Sequence, residues 1–314
     1  MAHTSHNHSH FHGVSSDIER RLTWALGITL AIFVLELVGG FLSNSLALIS
    51  DAGHLFGDVL ALGLSLFAAI VARRPPTARR TYGYHRIEVL AAVFNGMTLF
   101  FLAGYIFYEA YQRLMNPEPV KSVLMLAVAL VGLLANLIVM ARLREAAGEN
   151  LNVRAAFLHV LGDMLGSVGV VAGGLIMLFT GNYLVDPIIS FFVGLIILFG
   201  AVSVVREGAS ILLESVPRNI NYEKLKGDME RVEGIISVHD LHIWTISSSR
   251  LALSAHVKVS DQSTHAAQAI LQEACRILAD EYDIRHTTLQ LECGCCAGDD
   301  CGCHAPKTGQ AAGF

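Results

Sequence analysis

The sequence predicts an α-helical membrane protein of six transmembrane helices with a small cytoplasmic α+β ferredoxin-like domain attached. Three observations carry that expectation. Of 314 residues, 53% are hydrophobic and only 16% charged, against roughly a quarter charged in an ordinary soluble domain. Six stretches approach the ~20 apolar residues that a helix needs to cross a bilayer. After Arg206 the hydropathy collapses and the pattern turns to short alternating segments.

The spans follow in order. Leu22–Leu42 ends at Asn44, and Ser45–Ala72 ends at the Arg/Pro run from Arg73 to Arg80. Glu88–Tyr111 is closed by Asn116-Pro117, and Val120–Met140 by Gly148–Asn152. Ala155–Phe179 stops at Gly181-Asn182, and Leu184–Val205 completes the set. The second-to-third connection holds Arg73, Arg74, Arg79, Arg80 and Arg86, and the fourth-to-fifth holds Arg142, Arg144 and Arg154. The first-to-second and fifth-to-sixth connections have no Lys or Arg, while Arg113 and Lys121 flank the remaining outer loop. By the positive-inside rule this balance places both termini in the cytoplasm of a multi-pass protein of the inner membrane.

Beyond the spans, Tyr222–Val232 reads as a helix, Ile235–Thr245 and Leu251–Val259 as strands joined at Ser247-Ser248-Ser249. His265–Tyr282 has helical spacing and Thr287–Glu292 is a last short strand. The α-β-β-α-β order is what suggests the ferredoxin-like sandwich. Four regions result: a His-rich tail at 1–20, the transmembrane domain at 21–208, the soluble domain at 209–292 and a Cys-rich tail at 293–314. The first tail carries His3, His6, His8, His10 and His12 and no cleavable signal peptide. The last is Gly- and Cys-rich, the composition of a disordered segment. All six cysteines lie beyond residue 270, which argues against an extracellular disulfide framework. A net charge of −5 offers no basic surface for nucleic acid.

The candidate chemistry lies inside the spans. A charge at bilayer depth costs at least ~2.5–3.5 kcal/mol on insertion scales, so such residues are functional candidates. The second span holds Asp51, His54 and Asp58, and the fifth holds His159 and Asp163. His54/Asp58 and His159/Asp163 are each four apart, which stacks imidazole and carboxylate on one helix face. Two such pairs face to face supply two nitrogens and two oxygens, a set suited to a tetrahedral divalent cation such as zinc. A single pair could be a packing device; two copies argue for a site. Gly53, Gly57, Gly162, Gly166, Gly169 and Gly173 form small-residue faces that would let the two helices approach. Asp51 is a candidate supporting group or proton relay. Glu36, Glu88, Glu109 and Asp186 read as structural or interfacial.

Ser45–Leu62 (SLALISDAGHLFGDVLAL), Leu151–Gly169 (LNVRAAFLHVLGDMLGSVG), Thr81–Glu88 (TYGYHRIE) and His239–Trp244 (HDLHIW) resemble the cation diffusion facilitator family, in its cobalt–zinc–cadmium resistance and zinc transporter branch. The resemblance covers about residues 20–292. It implies proton-coupled zinc efflux, with cadmium and cobalt as candidate further cargo, by a homodimer whose cytoplasmic domain serves metal binding and dimerisation. It implies no catalytic cofactor; zinc is cargo and a candidate regulatory ion. It maps the transport ligands onto His54, Asp58, His159 and Asp163, and members with Asp in place of His54 tend to accept cadmium. Some relatives bind a second metal after the second helix through two histidines and an acid; this chain offers only His85 there.

In the soluble domain the resemblance favours His242, His256 and Glu292, with His239 and His265 as further candidates. Strand alternation puts His239 and His242 on opposite faces unless a bulge intervenes. Cys293, Cys295, Cys296, Cys301 and Cys303, with His304, form a soft-metal cluster in a reducing compartment. Two rival functions remain at this level. An intramembrane zinc enzyme lacks its HExxH-type ligand set and general base. A membrane metal sensor is the other.

Overall fold

In lipid every backbone N–H and C=O must find its partner within its own segment, so each apolar stretch closes into a helix. The computed structural model describes residues 11–144, 151–247 and 250–293. Its first six helices are α1 (Phe11–Ser43), α2 (Leu46–Ala72), α3 (Arg86–Met115), α4 (Ser122–Arg144), α5 (Leu151–Thr180) and α6 (Val185–Leu212). All six are long and apolar enough to cross a membrane. They overrun the apolar stretches at several ends, because a helix continues into the interface as long as its polar side chains reach water.

The chain forms two compact units. One holds the described residues of Met1–Arg74 and Leu90–Gly208, the other those of Pro75–Val89 and Ala209–Phe314. In the first, α4 lies along α5, and α1 lies along both α2 and α4. A buried cluster of Ala47, Leu48, Met125, Val128, Val170 and Met177 joins α2, α4 and α5. A separate cluster of Ala103, Ile106, Val193 and Ile197 joins α3 to α6. Leu62, Leu66, Phe67 and Ile70 on α2 stay exposed, as lipid-facing side chains must.

The glycine expectation is corrected here. A Cβ on Gly53 would meet Leu102 at 3.0 Å, and one on Gly57 would meet Leu99 at 2.6 Å. Both glycines therefore admit α3, not α5. Gly162 and Gly169 face open space, Gly173 faces Ile189 of α6, and only Gly166 looks toward α2, at Asp51. Four-residue spacing marks a face without naming its neighbour.

The start of α2 is held by charge. The chain turns at Asn44, which has a left-handed φ of 57°, and Ser45 caps the helix. The Asp186 carboxylate accepts hydrogen bonds from the Ser45 hydroxyl (2.6 Å) and from the backbone N–H groups of Leu46 (2.8 Å) and Ala47 (3.2 Å). It thus satisfies orphan donors at a helix N-terminus, where an anion is also favoured by the dipole. Arg113 completes the cluster: it donates to Asn44 O (2.7 Å), Asn44 Oδ1 (3.1 Å) and Glu109 (3.1 Å), and lies 3.7 Å from Asp186. Asp186 and Glu109 are structural, as expected. Glu36 is buried within α1 against Gly132 of α4, and its Oε2 accepts no hydrogen bond among the described residues.

The second unit contains α7 (Tyr222–Glu230), β1 (Ile235–Ser247), β2 (Arg250–Val259), α8 (Thr264–Tyr282) and β3 (His286–Cys293). The sheet runs β1-β2-β3, with β1 antiparallel and β3 parallel to β2. Both helices pack on it over a core that includes Leu225, Met229, Val238, Leu253, Val257 and Leu278. Tyr282 ties the helices together by donating to Asp228 at 2.5 Å. Burial and that carboxylate raise its phenol to about 12.

Removing Asp186 tests the α2 cap. Asp186→Ala would take their acceptor from the Ser45 hydroxyl and two backbone donors and remove a buried counter-charge beside Arg113, at a cost of about 3–5 kcal/mol. The thermal unfolding midpoint of the purified protein should fall clearly, and Asp186→Asn should fall less because its carbonyl still accepts. An unchanged midpoint in both variants would refute the role.

Candidate metal centres

α2 and α5 are separated by two other spans, so they run antiparallel. That direction decides how two identical four-residue motifs meet: the first residue of one motif faces the last of the other. His54 Nε2 lies 3.3 Å from Asp163 Oδ1, and His159 Nε2 lies 3.2 Å from Asp58 Oδ2. His159 also comes within 3.8 Å of Asp163 Oδ2. The two imidazoles stand with centroids 6.2 Å apart. One ligand atom from each of His54, Asp58 and Asp163 falls within 4.8 Å of the other two, and His159 borders this trio through both carboxylates.

Asp58 Oδ2 and Asp163 Oδ1 are buried and accept no directed hydrogen bond among the described residues. Each instead faces an imidazole nitrogen, at 3.2 Å for Asp58 and 3.3 Å for Asp163. Their lone pairs point into the cluster, and two carboxylates with two imidazoles match the donor preferences of zinc. Burial differs along the site: the Asp163 side chain is 7% exposed and His159 49%. His54 sits roughly 12 Å of helix rise into α2, well inside a hydrocarbon core of ~30 Å. Asp51 is buried behind the cluster and faces Gly166 across the α2–α5 contact.

A second constellation lies on the sheet. His256 Nδ1 is 2.9 Å from Glu292 Oε1, and His239 Nε2 is 3.1 Å from Glu292 Oε2. His239 and His256 are paired across the strands, with ring centroids 5.4 Å apart. His239, His256 and Glu292 each offer one ligand atom within 4.8 Å of the others. Asp240 adds a carboxylate, 3.7 Å from His256 and 3.1 Å from His242.

The alternation rule is suspended in this strand. The pairing register shifts between His239 and His242, and Asp240 takes a left-handed φ of 49°. This bulge turns His239 and Asp240 outward between the buried Val238 and Leu241, and His242 outward between Leu241 and the buried Ile243. The trio nevertheless contains His239 rather than His242, which reaches the group only through Asp240. His265 opens α8 outside this group. Asp240 was missed by sequence reasoning; a short acid between two strand histidines was the available signal, since Asp tolerates αL. Of the tail thiols, Cys293 ends β3. Cys295, Cys296, Cys301, Cys303 and His304 lie outside the described residues, as do His3, His6, His8 and His10.

Comparison with known proteins follows the same division. Residues 22–213 match the family described as cation efflux transmembrane domain, and residues 217–293 match the cytoplasmic domain of cation efflux proteins. The chain is 41% identical over 297 residues to the metal cation efflux system protein CzcD of Cupriavidus metallidurans, covering 95% of this chain and 93% of that protein. It is 41% identical over 303 residues to the zinc transporter ZitB of Escherichia coli, covering 96% of each. A cadmium, cobalt and zinc/H(+)-K(+) antiporter of Bacillus subtilis is 40% identical over 262 residues, covering 82% of this chain and 84% of that protein.

The sheet cluster predicts a measurable metal equivalent. His256 alone touches both carboxylates, so His256→Ala should lower zinc retained per full-length chain by about one equivalent after gel filtration, read by elemental analysis. Identical retention in wild type and variant would show that the cluster holds no zinc.

Proposed function

The chain belongs to the cation efflux family, and from that premise we propose that it exports zinc and related divalent cations through His54, Asp58, His159 and Asp163. Its relatives are cation transporters, not enzymes. The observation that carries this reading is the convergence of the four side chains from two antiparallel spans, with the oxygens of Asp58 and Asp163 left without directed donors. A site for retaining a metal could sit anywhere on a protein. One inside two spans places its metal on a path through the bilayer.

Charge balance explains why protons would be the exchange partner. Two carboxylates and two protonated imidazoles sum to zero. Two carboxylates, two neutral imidazoles and one divalent cation also sum to zero. Metal and protons can therefore replace each other in the cluster without leaving net charge in a low-dielectric interior, where an unbalanced charge is most costly. His54 and His159 would release protons as their nitrogens take the metal, and Asp58 and Asp163 would neutralise it. The arginine-rich connections support a topology with the termini and the soluble unit on the cytoplasmic side of the inner membrane. The greater exposure of His159 supports its end of the cluster as the entrance. The match to the family's cytoplasmic domain supports a homodimer. Zinc at His239, His256 and Glu292 would be a regulatory ion, since that cluster lies outside the spans.

Each of His54→Ala, Asp58→Ala, His159→Ala and Asp163→Ala should reduce proton-driven zinc flux in proteoliposomes to background, with the protein still folded. Near-normal flux in His159→Ala would overturn the assignment. A separate substitution addresses selectivity. His54→Asp replaces a borderline nitrogen with a third carboxylate, and because family members with Asp at this position tend to accept cadmium, cadmium flux relative to zinc should rise in the vesicle assay. An unchanged ratio in an active variant would place selectivity elsewhere.

A further inference from the structure

The second unit contains a cavity of about 660 Å³ that the transport reading leaves unused. One wall is the segment between α2 and α3, with Pro76, Thr81, Tyr82 and His85. The other comes from the ends of the sheet, with Ile246, Arg250, Leu251, Asp283, Arg285 and His286. We propose that this cavity binds the phosphodiester headgroup of an anionic membrane lipid.

The first support is charge. Arg250 makes no ion pair among the described residues, and Arg285 spends only its Nε on Asp283, at 3.1 Å. The free guanidinium nitrogens of both are donors of the geometry that suits a phosphate. Asp283 is the cavity's one acid and already has its partner. Thr81 and Tyr82 add hydroxyls. His286 packs edge-on against the Tyr82 ring at 5.5 Å, which joins the two walls. A metal is the weaker reading: His85, His286 and Asp283 do not group within ligand distance of one another among the described residues.

The second support is position, and it selects lipid over a soluble phosphate. Thr81, Tyr82 and His85 belong to a short connection that leaves one membrane-spanning helix at Ala72 and enters the next at Arg86. Such a segment cannot leave headgroup depth by far. Its Tyr82 is 49% exposed, as interfacial aromatic side chains are. Arg73, Arg74, Arg79 and Arg80 crowd the same connection, and clusters of this kind read as anionic-lipid binding. Roughly 300–1,000 Å³ is the usual size of a ligand cavity, so a glycerophosphate headgroup fits. Bound there, it would bridge the connection after α2 to Arg250 on β2 and to Arg285 in the turn before β3.

The test uses full-length protein in neutral detergent, titrated calorimetrically with short-chain phosphatidylglycerol, short-chain phosphatidylcholine or inorganic phosphate. Saturable binding of phosphatidylglycerol is expected, with little for the other two. Arg250→Gln with Arg285→Gln should weaken it about tenfold or more. Arg250→Lys with Arg285→Lys should lie between, having charge without the forked donors. Unfolding midpoints matching wild type qualify each variant. Equal affinity in wild type and the double Gln variant would overturn the proposal. So would inorganic phosphate binding as tightly as the lipid, or zinc bound at the cavity and lost in His85→Ala with His286→Ala.

Discussion

A charged or polar group inside a bilayer must be neutralised where it stands, and that constraint organises the membrane unit. Water cannot solvate it, and its cost falls only when a partner from another helix reaches it. Asp186 meets the requirement by ending at the N-terminus of α2, where unsatisfied backbone donors and Arg113 both want an anion. His54, Asp58, His159 and Asp163 meet it through cross-pairs between helices. The two solutions differ in kind. Asp186 accepts three directed hydrogen bonds, whereas Asp58 and Asp163 each keep an oxygen that meets only an imidazole, without a directed hydrogen bond. Directed donors suit an anchor; residual capacity suits a binding site.

The order along α2 follows from the same division. Its first residues are held by Asp186, and its candidate ligands come two to three turns later, so the cap sets where those side chains stand. Gly53 and Gly57 then let α3 lie close on the side away from α5. Each feature fixes one freedom of α2: its end, its lateral packing and the direction of its polar face.

Much of this was legible in the sequence because it is periodic. Apolar length marks a span, and a spacing of four puts His54 with Asp58 and His159 with Asp163. Direction was legible as well, since the number of spans between α2 and α5 makes them antiparallel. What periodicity could not supply was the identity of the neighbour. The glycines of α2 pack on Leu99 and Leu102 rather than on α5, and nothing in a four-residue repeat distinguishes those partners. Glu36 shows the same limit: its burial against Gly132 depends on how α1 crosses α4. The strand histidines show a different limit. Alternation presumes regular pleating, and Asp240 in the left-handed region breaks it locally.

That bulge also bears on how the two clusters differ. Both combine histidines with carboxylates, so ligand chemistry alone does not separate a transport site from a retaining one. The separation lies in what holds the ligands. The membrane cluster draws half its donors from each of two helices, and α2 and α5 touch over only a short stretch. A shift of one helix against the other changes every cross-pair at once. His239, His256 and Glu292 instead stand on three neighbouring strands locked by ladder hydrogen bonds, with His239 directly paired to His256. Such a frame cannot pull its ligands apart without breaking the sheet. A cation that must be released needs ligands on elements free to part, and one that must be retained needs ligands on a rigid scaffold. The placement of the two clusters therefore argues for passage at the first and residence at the second.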